Sequence, residues 1–154
     1  MAEGAGQNEI YGSSVELKEG PFAGWRTWYG QGGDPFETHI GPLCYKVQPD
    51  GKVICAFDPT REHTNGGGNL HGGALMSFAD FSLFCIAHNE LTGASSVTLT
   101  LNSEFIAAGK LGSRVFAEGE VLRQTRSLIF IRGLLKQDEK PIFSFSGTLK
   151  KLGK

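Results

Sequence analysis

Residues 65–87 read NGGGNLHGGALMSFADFSLFCIA, and this stretch decides the fold. Its first nine residues include five glycines, Gly66, Gly67, Gly68, Gly72 and Gly73. Without a Cβ to restrict it, glycine backbone is poorly held in regular structure, so this is an irregular loop. The fourteen residues from Ala74 to Ala87 contain only three polar side chains, Ser77, Asp80 and Ser82. A helix that is apolar on nearly every face is buried on nearly every face. The expectation is a central helix, entered through a glycine-rich loop and ending near Asn89, with Gly93 in the loop that follows.

Outward from this helix the pattern is β. Val97–Ile106, Val115–Leu122, Leu128–Leu135 and Ile142–Leu149 read as strands, with turns near Gly109–Gly112, Gln124–Arg126 and Gln137–Lys140. Upstream, Leu43–Val47 and Lys52–Phe57 flank the turn signal Pro49-Asp50-Gly51 and predict a hairpin. A short helix is expected after Asp34, an N-capping residue followed by Pro35, and Gly41–Pro42 ends it. Strands grouped on both sides of one helix predict an α+β fold, a curved antiparallel β-sheet wrapped around one long central helix. Residues 1–40 read as an N-terminal arm, polar and without period over 1–20, then rich in aromatics (Phe22, Trp25, Trp28, Tyr29, Phe36); residues 41–154 read as the domain proper.

Composition removes several functions. The chain has 154 residues, enough for one domain with its own core. Its 15 basic and 16 acidic residues leave a net charge of -1, so there is no basic field for nucleic acid. No apolar run approaches the length of a membrane span, and the first ten residues lack the basic and apolar regions of a secretory signal. A cytoplasmic location without membrane attachment is the resulting expectation. Cys44, Cys55 and Cys85 are odd in number, widely spaced and set among apolar neighbours, which predicts buried thiols and not a disulfide framework. His39, His63, His71 and His88 are spread without metal-ligand spacing, so no metal site is expected.

Asp80 is the one charged side chain in the apolar helix. Burying an ionised carboxylate costs several kcal/mol unless something compensates. Three readings follow: a carboxylate paired with Arg or capping backbone, one facing solvent through a gap, or a functional group held at a cost. Gly72 and Gly73 sit where the helix begins, and helix N-termini present unpaired N–H groups and a positive dipole end. Without a Cβ in the way, such donors suit a developing oxyanion, although a tight turn alone also calls for glycine. Other glycine-loop motifs fail: no Lys followed by Ser or Thr completes a phosphate loop, no GxGxxG precedes a βαβ unit, and no GxSxG marks a nucleophilic serine.

The run from Asn65 through His71-Gly72-Gly73 to Asp80, then Val97–Asn102 and Gly109-Lys110-Leu111-Gly112, resembles the hotdog-fold acyl-CoA thioesterases, nearest the phenylacetic-acid-pathway branch. The resemblance covers residues 41–150. It implies the following roles, position by position. The Gly72 N–H polarises the thioester carbonyl, Asp80 is general base or nucleophile, and Asn65 orients water or thioester. His71 shapes the loop, and Thr98 hydrogen-bonds the nucleophilic water or the carboxylate. The triple glycine Gly66-Gly67-Gly68 is richer than the family pattern. The resemblance also implies homodimers with a continuous sheet, often paired into homotetramers, with sites shared across the dimer interface. The implied reaction is hydrolysis of acyl-CoA, with no cofactor beyond the CoA of the substrate. For substrate binding, Gly73 joins Gly72; Met76, Phe78 and Phe81 are candidates to line the acyl pocket, with core packing the other reading of each; and Lys110, Arg114, Arg123 and Arg126, near strand ends or turns, are candidates for the CoA phosphates, with ordinary solvated surface charge the other reading of each. Two other readings stand beside hydrolysis: a hydratase or dehydratase with His71 as base, and a non-catalytic acyl-CoA binding or sensing module.

Overall fold

The computed structural model describes residues 14–28, 34–91 and 93–153. Most of the polar N-terminal arm, together with Tyr29 and the glycines that follow it, lies outside them. Among the described residues eight strands form one antiparallel sheet. In chain order they are β1 (Val15–Glu16), β2 (Arg26–Thr27), β3 (Cys44–Val47), β4 (Val53–Phe57), β5 (Ser96–Phe105), β6 (Val115–Gln124), β7 (Leu128–Gln137) and β8 (Lys140–Lys151). Their spatial order is β1-β2-β3-β4-β6-β7-β8-β5, so β5 stands at one edge although it precedes three of its neighbours in sequence. Helix α1 (Pro35–Ile40) precedes β3, a single 3₁₀ turn (Arg61–His63) follows β4, and α2 (Gly72–Ile86) and the short α3 (His88–Leu91) lead into β5. This is the expected α+β hotdog arrangement of one sheet around one main helix.

The sheet closes on α2. Phe78, Phe81, Leu83 and Cys85 of the helix pack with Tyr45, Phe57, Ile131, Phe143 and Leu149 of the strands. Glycine here does more than make turns. A Cβ on Gly147 would come within 2.5 Å of Leu83 Cδ1, and one on Gly133 within 2.4 Å of the Phe145 ring. Bare backbone at these strand positions lets the sheet approach its helix and its own aromatics closely.

The helix starts at Gly72, two residues before the apolar run, because His71 caps it, with Nδ1 accepting the Gly73 N–H at 2.8 Å. Likewise Asp34 Oδ1 accepts from Phe36 and Glu37 and starts α1 as the sequence predicts. The three cysteines are buried and free.

Residues 15–28, read as part of an arm, instead add two strands to the sheet. What holds them is Phe22, buried against Cys44 and Ala56 with Leu17, Trp25 and Phe116 around it. Cys44 and the core residue Tyr45 are neighbours on β3, so this small cluster covers the sheet face opposite the helix. Arg114 locks it from above, lying 3.9 Å over the Phe22 ring and bonding Asp58 at 2.7 and 3.0 Å. That structural role takes Arg114 away from the phosphate cluster expected of it.

Candidate functional site

The site follows the seam between α2 and β5. Gly72, Met76 and Asp80 are spaced four apart and share one helix face. On β5 the register with β8 shifts between Thr98 and Thr100. This β-bulge changes which side chains face the helix. Before it Thr98 points at α2, and after it Leu101, Ser103 and Phe105 do. Three contacts follow in order along the seam. The Thr98 hydroxyl donates to Asp80 Oδ1 at 2.7 Å. The Ser103 hydroxyl donates to Met76 Sδ at 2.9 Å. The Phe105 ring lies beside Gly72, with Cε1 2.9 Å from the point a Cβ there would occupy.

Asp80 is half-buried. Burial holds its carboxyl above the ordinary carboxylate range, the Thr98 hydrogen bond opposes that rise, and the charge of Asp34 adds to it. Among the described residues no cation pairs with it. Glu37 of α1, which sequence reasoning passed over, belongs to the same surroundings. It is raised from 4.5 to about 7, first by burial, then by Asp34 and by Asp80. In the sequence it reads as an ordinary acidic residue in a helix's first turn; only the fold brings it within reach of Asp80's charge.

At the other end of the seam the helix N-terminus is open. Gly73 N–H is taken by the His71 ring, whereas Gly72 N–H has no acceptor among the described residues. Because His71 Nδ1 accepts, its proton sits on Nε2, which leaves this side chain a donor and not a base. The loop before it is fastened by its own backbone. Asn65 Oδ1 accepts the N–H groups of Gly67 at 2.9 Å and Asn69 at 3.2 Å, so its Nδ2 remains the outward-facing donor. His71 N–H bonds His63 O at 2.7 Å and Leu70 N–H bonds Gly109 O at 2.9 Å, tying the loop to the 3₁₀ turn and to the loop before β6.

The structure brings Asp80 and Thr98 into contact, and gathers Asn65, His71, Gly72 and Gly73 at the far end of α2. It does not bring those two groups together in one chain: eight residues at 1.5 Å rise separate Asp80 from Gly72 by about 12 Å. Of the three helix residues expected at the acyl pocket, Met76 reaches the seam. Phe78 and Phe81 are 0 % and 1 % exposed, enclosed in the core against Phe57 and Trp28, where packing fixes them. Lys110 is exposed beside Gly109 near the start of α2. Arg123 and Arg126 are exposed near the β6–β7 turn, where the Gln124 side chain bonds Glu90 O of α3, at the opposite end of the helix. Among the described residues no three His, Cys, Asp or Glu side chains gather as metal ligands, and no helix is long and apolar enough to cross a membrane.

The profile of the thioesterase superfamily matches residues 67–142. Human acyl-coenzyme A thioesterase 13 is 32 % identical over 99 residues, covering 62 % of this chain and 68 % of its own. Among solved structures, a mutant of the phenylacetic acid degradation protein PaaI from Thermus thermophilus superposes with a TM-score of 0.67 at 24 % identity, over 77 % of this chain and 100 % of its own. A Bacillus halodurans protein solved with CoA gives a TM-score of 0.70 at 19 % identity, over 81 % of this chain and 83 % of its own.

Proposed function

The chain belongs to the thioesterase superfamily and is a thioester hydrolase, and on that premise we propose that it hydrolyses acyl-coenzyme A, adding water across the thioester to give a free acid and CoA. The observation that carries this reading is Asp80, a half-buried carboxylate without a cation partner among the described residues, aimed by the Thr98 hydroxyl at 2.7 Å. Burial strengthens it as a proton acceptor, and Thr98 fixes which oxygen stays free.

The Gly72 N–H is the donor for the carbonyl oxygen as it gains charge. Losing one such donor typically costs roughly 10²–10³ in turnover. Asn65 Nδ2 orients the water or the thioester, and His71 holds the loop by capping. Because Asp80 and Gly72 are about 12 Å apart along one helix, a single carbonyl cannot meet both in one chain. A second copy supplies the missing half: β5 is an edge strand of ten residues, and pairing two such edges extends the sheet and sets two α2 helices side by side. Asp80 of one copy then faces Gly72 and Asn65 of the other, and such dimers pair further into tetramers. Lys110 from one end of the helix and Arg123 and Arg126 from the other are the cations offered to the CoA phosphates.

Asp80 acts either on water or directly on the carbonyl carbon to form a mixed anhydride. In a single turnover in ¹⁸O-water, label appearing first in the enzyme carboxylate excludes simple general-base action, because only an anhydride opened by water at the Asp80 carbonyl carbon puts it there. The hydratase reading loses its base, because the His71 Nδ1 lone pair is engaged by Gly73 N–H. The test is free-thiol release across short, medium, long-chain and aryl acyl-CoAs. Thiol release is expected, and Asp80→Asn is expected to fold and bind acyl-CoA while losing most of it. Loss of enoyl-CoA absorbance without free thiol, or tight binding with no turnover, contradicts the proposal.

A further inference from the structure

We infer that Phe105 is a specificity-determining residue that forms the wall of the acyl pocket at Gly72. The inference rests on the hydrolase reading above and deepens it. The ring is 60 % exposed in one copy, so although it is anchored it keeps a face open to a ligand. One side of it is seated against Gly72, and the Phe143 ring meets it edge-on with centroids 5.1 Å apart. It occupies the space that a side chain at residue 72 would need, so the glycine and the ring are two halves of one surface.

That surface borders the one N–H of the helix N-terminus that has no acceptor among the described residues. A carbonyl oxygen bound there has its carbon within one bond, so a substituent of that carbon must run along the ring. Two substituents are available, the acyl chain and the thioester sulfur with its pantetheine arm. The seam favours the acyl chain. Beyond Phe105 it continues through Met76 and Leu101, whereas the pantetheine arm reaches an amide within a few atoms and needs hydrogen-bonding groups. The Ser103 hydroxyl, the polar group on that stretch, is already turned onto the Met76 sulfur.

The ring therefore limits the width of the acyl group close to the carbonyl. The experiment compares kcat/KM for acetyl-, hexanoyl- and phenylacetyl-CoA in the full chain, in Phe105→Ala and in the more conservative Phe105→Leu. The expected result is a rise of at least about tenfold in the phenylacetyl-to-acetyl ratio in Phe105→Ala, with Phe105→Leu between. Differences of pocket shape are worth that much, and a purely structural loss would lower all three substrates together. An unchanged or reduced ratio overturns the inference. So does a uniform rise in KM, which assigns the ring to the pantetheine arm. Absence of thiol release from every acyl-CoA by the unsubstituted chain overturns the hydrolase reading, and this inference with it.

Discussion

At Asp80 two opposing influences meet: burial raises its proton affinity and the Thr98 hydrogen bond lowers it. Replacing Thr98 by Val removes only the second, so the carboxyl moves further up. The proposed mechanism works through the carboxylate form, so the acidic limb of the kcat/KM profile is expected to shift to higher pH in Thr98→Val and to return in Thr98→Ser. An unmoved limb contradicts the role given to Thr98. Glu37 gives a stability test. Its folded value of about 7 lies above the ordinary 4.5, so between these the folded chain binds more protons than the unfolded one. Stability from this group thus falls as pH rises through that window. Glu37→Gln is expected to melt higher than the parent at pH 8 and to lose that advantage near pH 4, as followed by thermal denaturation. Asp80 was legible in the sequence because a lone charge in an apolar helix violates folding economy. Phe105 and Glu37 were not, since an aromatic in a strand and an acid in a first helical turn both have ordinary explanations.

Among the elements, α2, the β3–β4 hairpin and the four long strands all announce themselves by period and by turn residues. The two-residue strands β1 and β2 are too short to show any alternation, and Phe22, which holds them, reads as one aromatic among several. Strand β5 alternates only in part because the bulge between Thr98 and Thr100 reverses its faces, a step that depends on pairing with β8 and is absent from the local pattern. The β7–β8 turn holds a stabilising substitution. Asp138 and Glu139 have φ of 50° and 62°, a left-handed pair suited to Asn-Gly or Asp-Gly. Glu139 lacks the short polar side chain that eases this conformation, so Glu139→Gly is expected to raise stability by about 0.5–1 kcal/mol in chemical denaturation. A loss of stability would show that the glutamate makes compensating contacts.

For the whole molecule, the ten-residue edge at β5 and the separation of Asp80 from Gly72 point to the same assembly. Light scattering is expected to give the mass of a dimer or tetramer; a monomeric mass contradicts a shared site. This level was the least legible in the sequence, because a seam between two copies leaves no period in either one. In the proposed assembly Asp80 of one copy works with the Gly72 N–H of another. Gly72→Pro removes that N–H at a helix position whose backbone suits proline, and because the Phe105 ring lies 2.9 Å from where its Cβ would sit, it is made in a Phe105→Ala background that serves as the parent for this comparison; Asp80→Asn, in the same background, removes the base. Each variant alone is expected to lose roughly 10² or more in thiol release. Co-expressed in equal amounts, they form mixed dimers with one unaltered site in two. The decisive measurement is thiol release by that mixture: recovery to roughly a quarter of the parent activity is the predicted result for random two-fold pairing, and a mixture no more active than either variant alone contradicts the account.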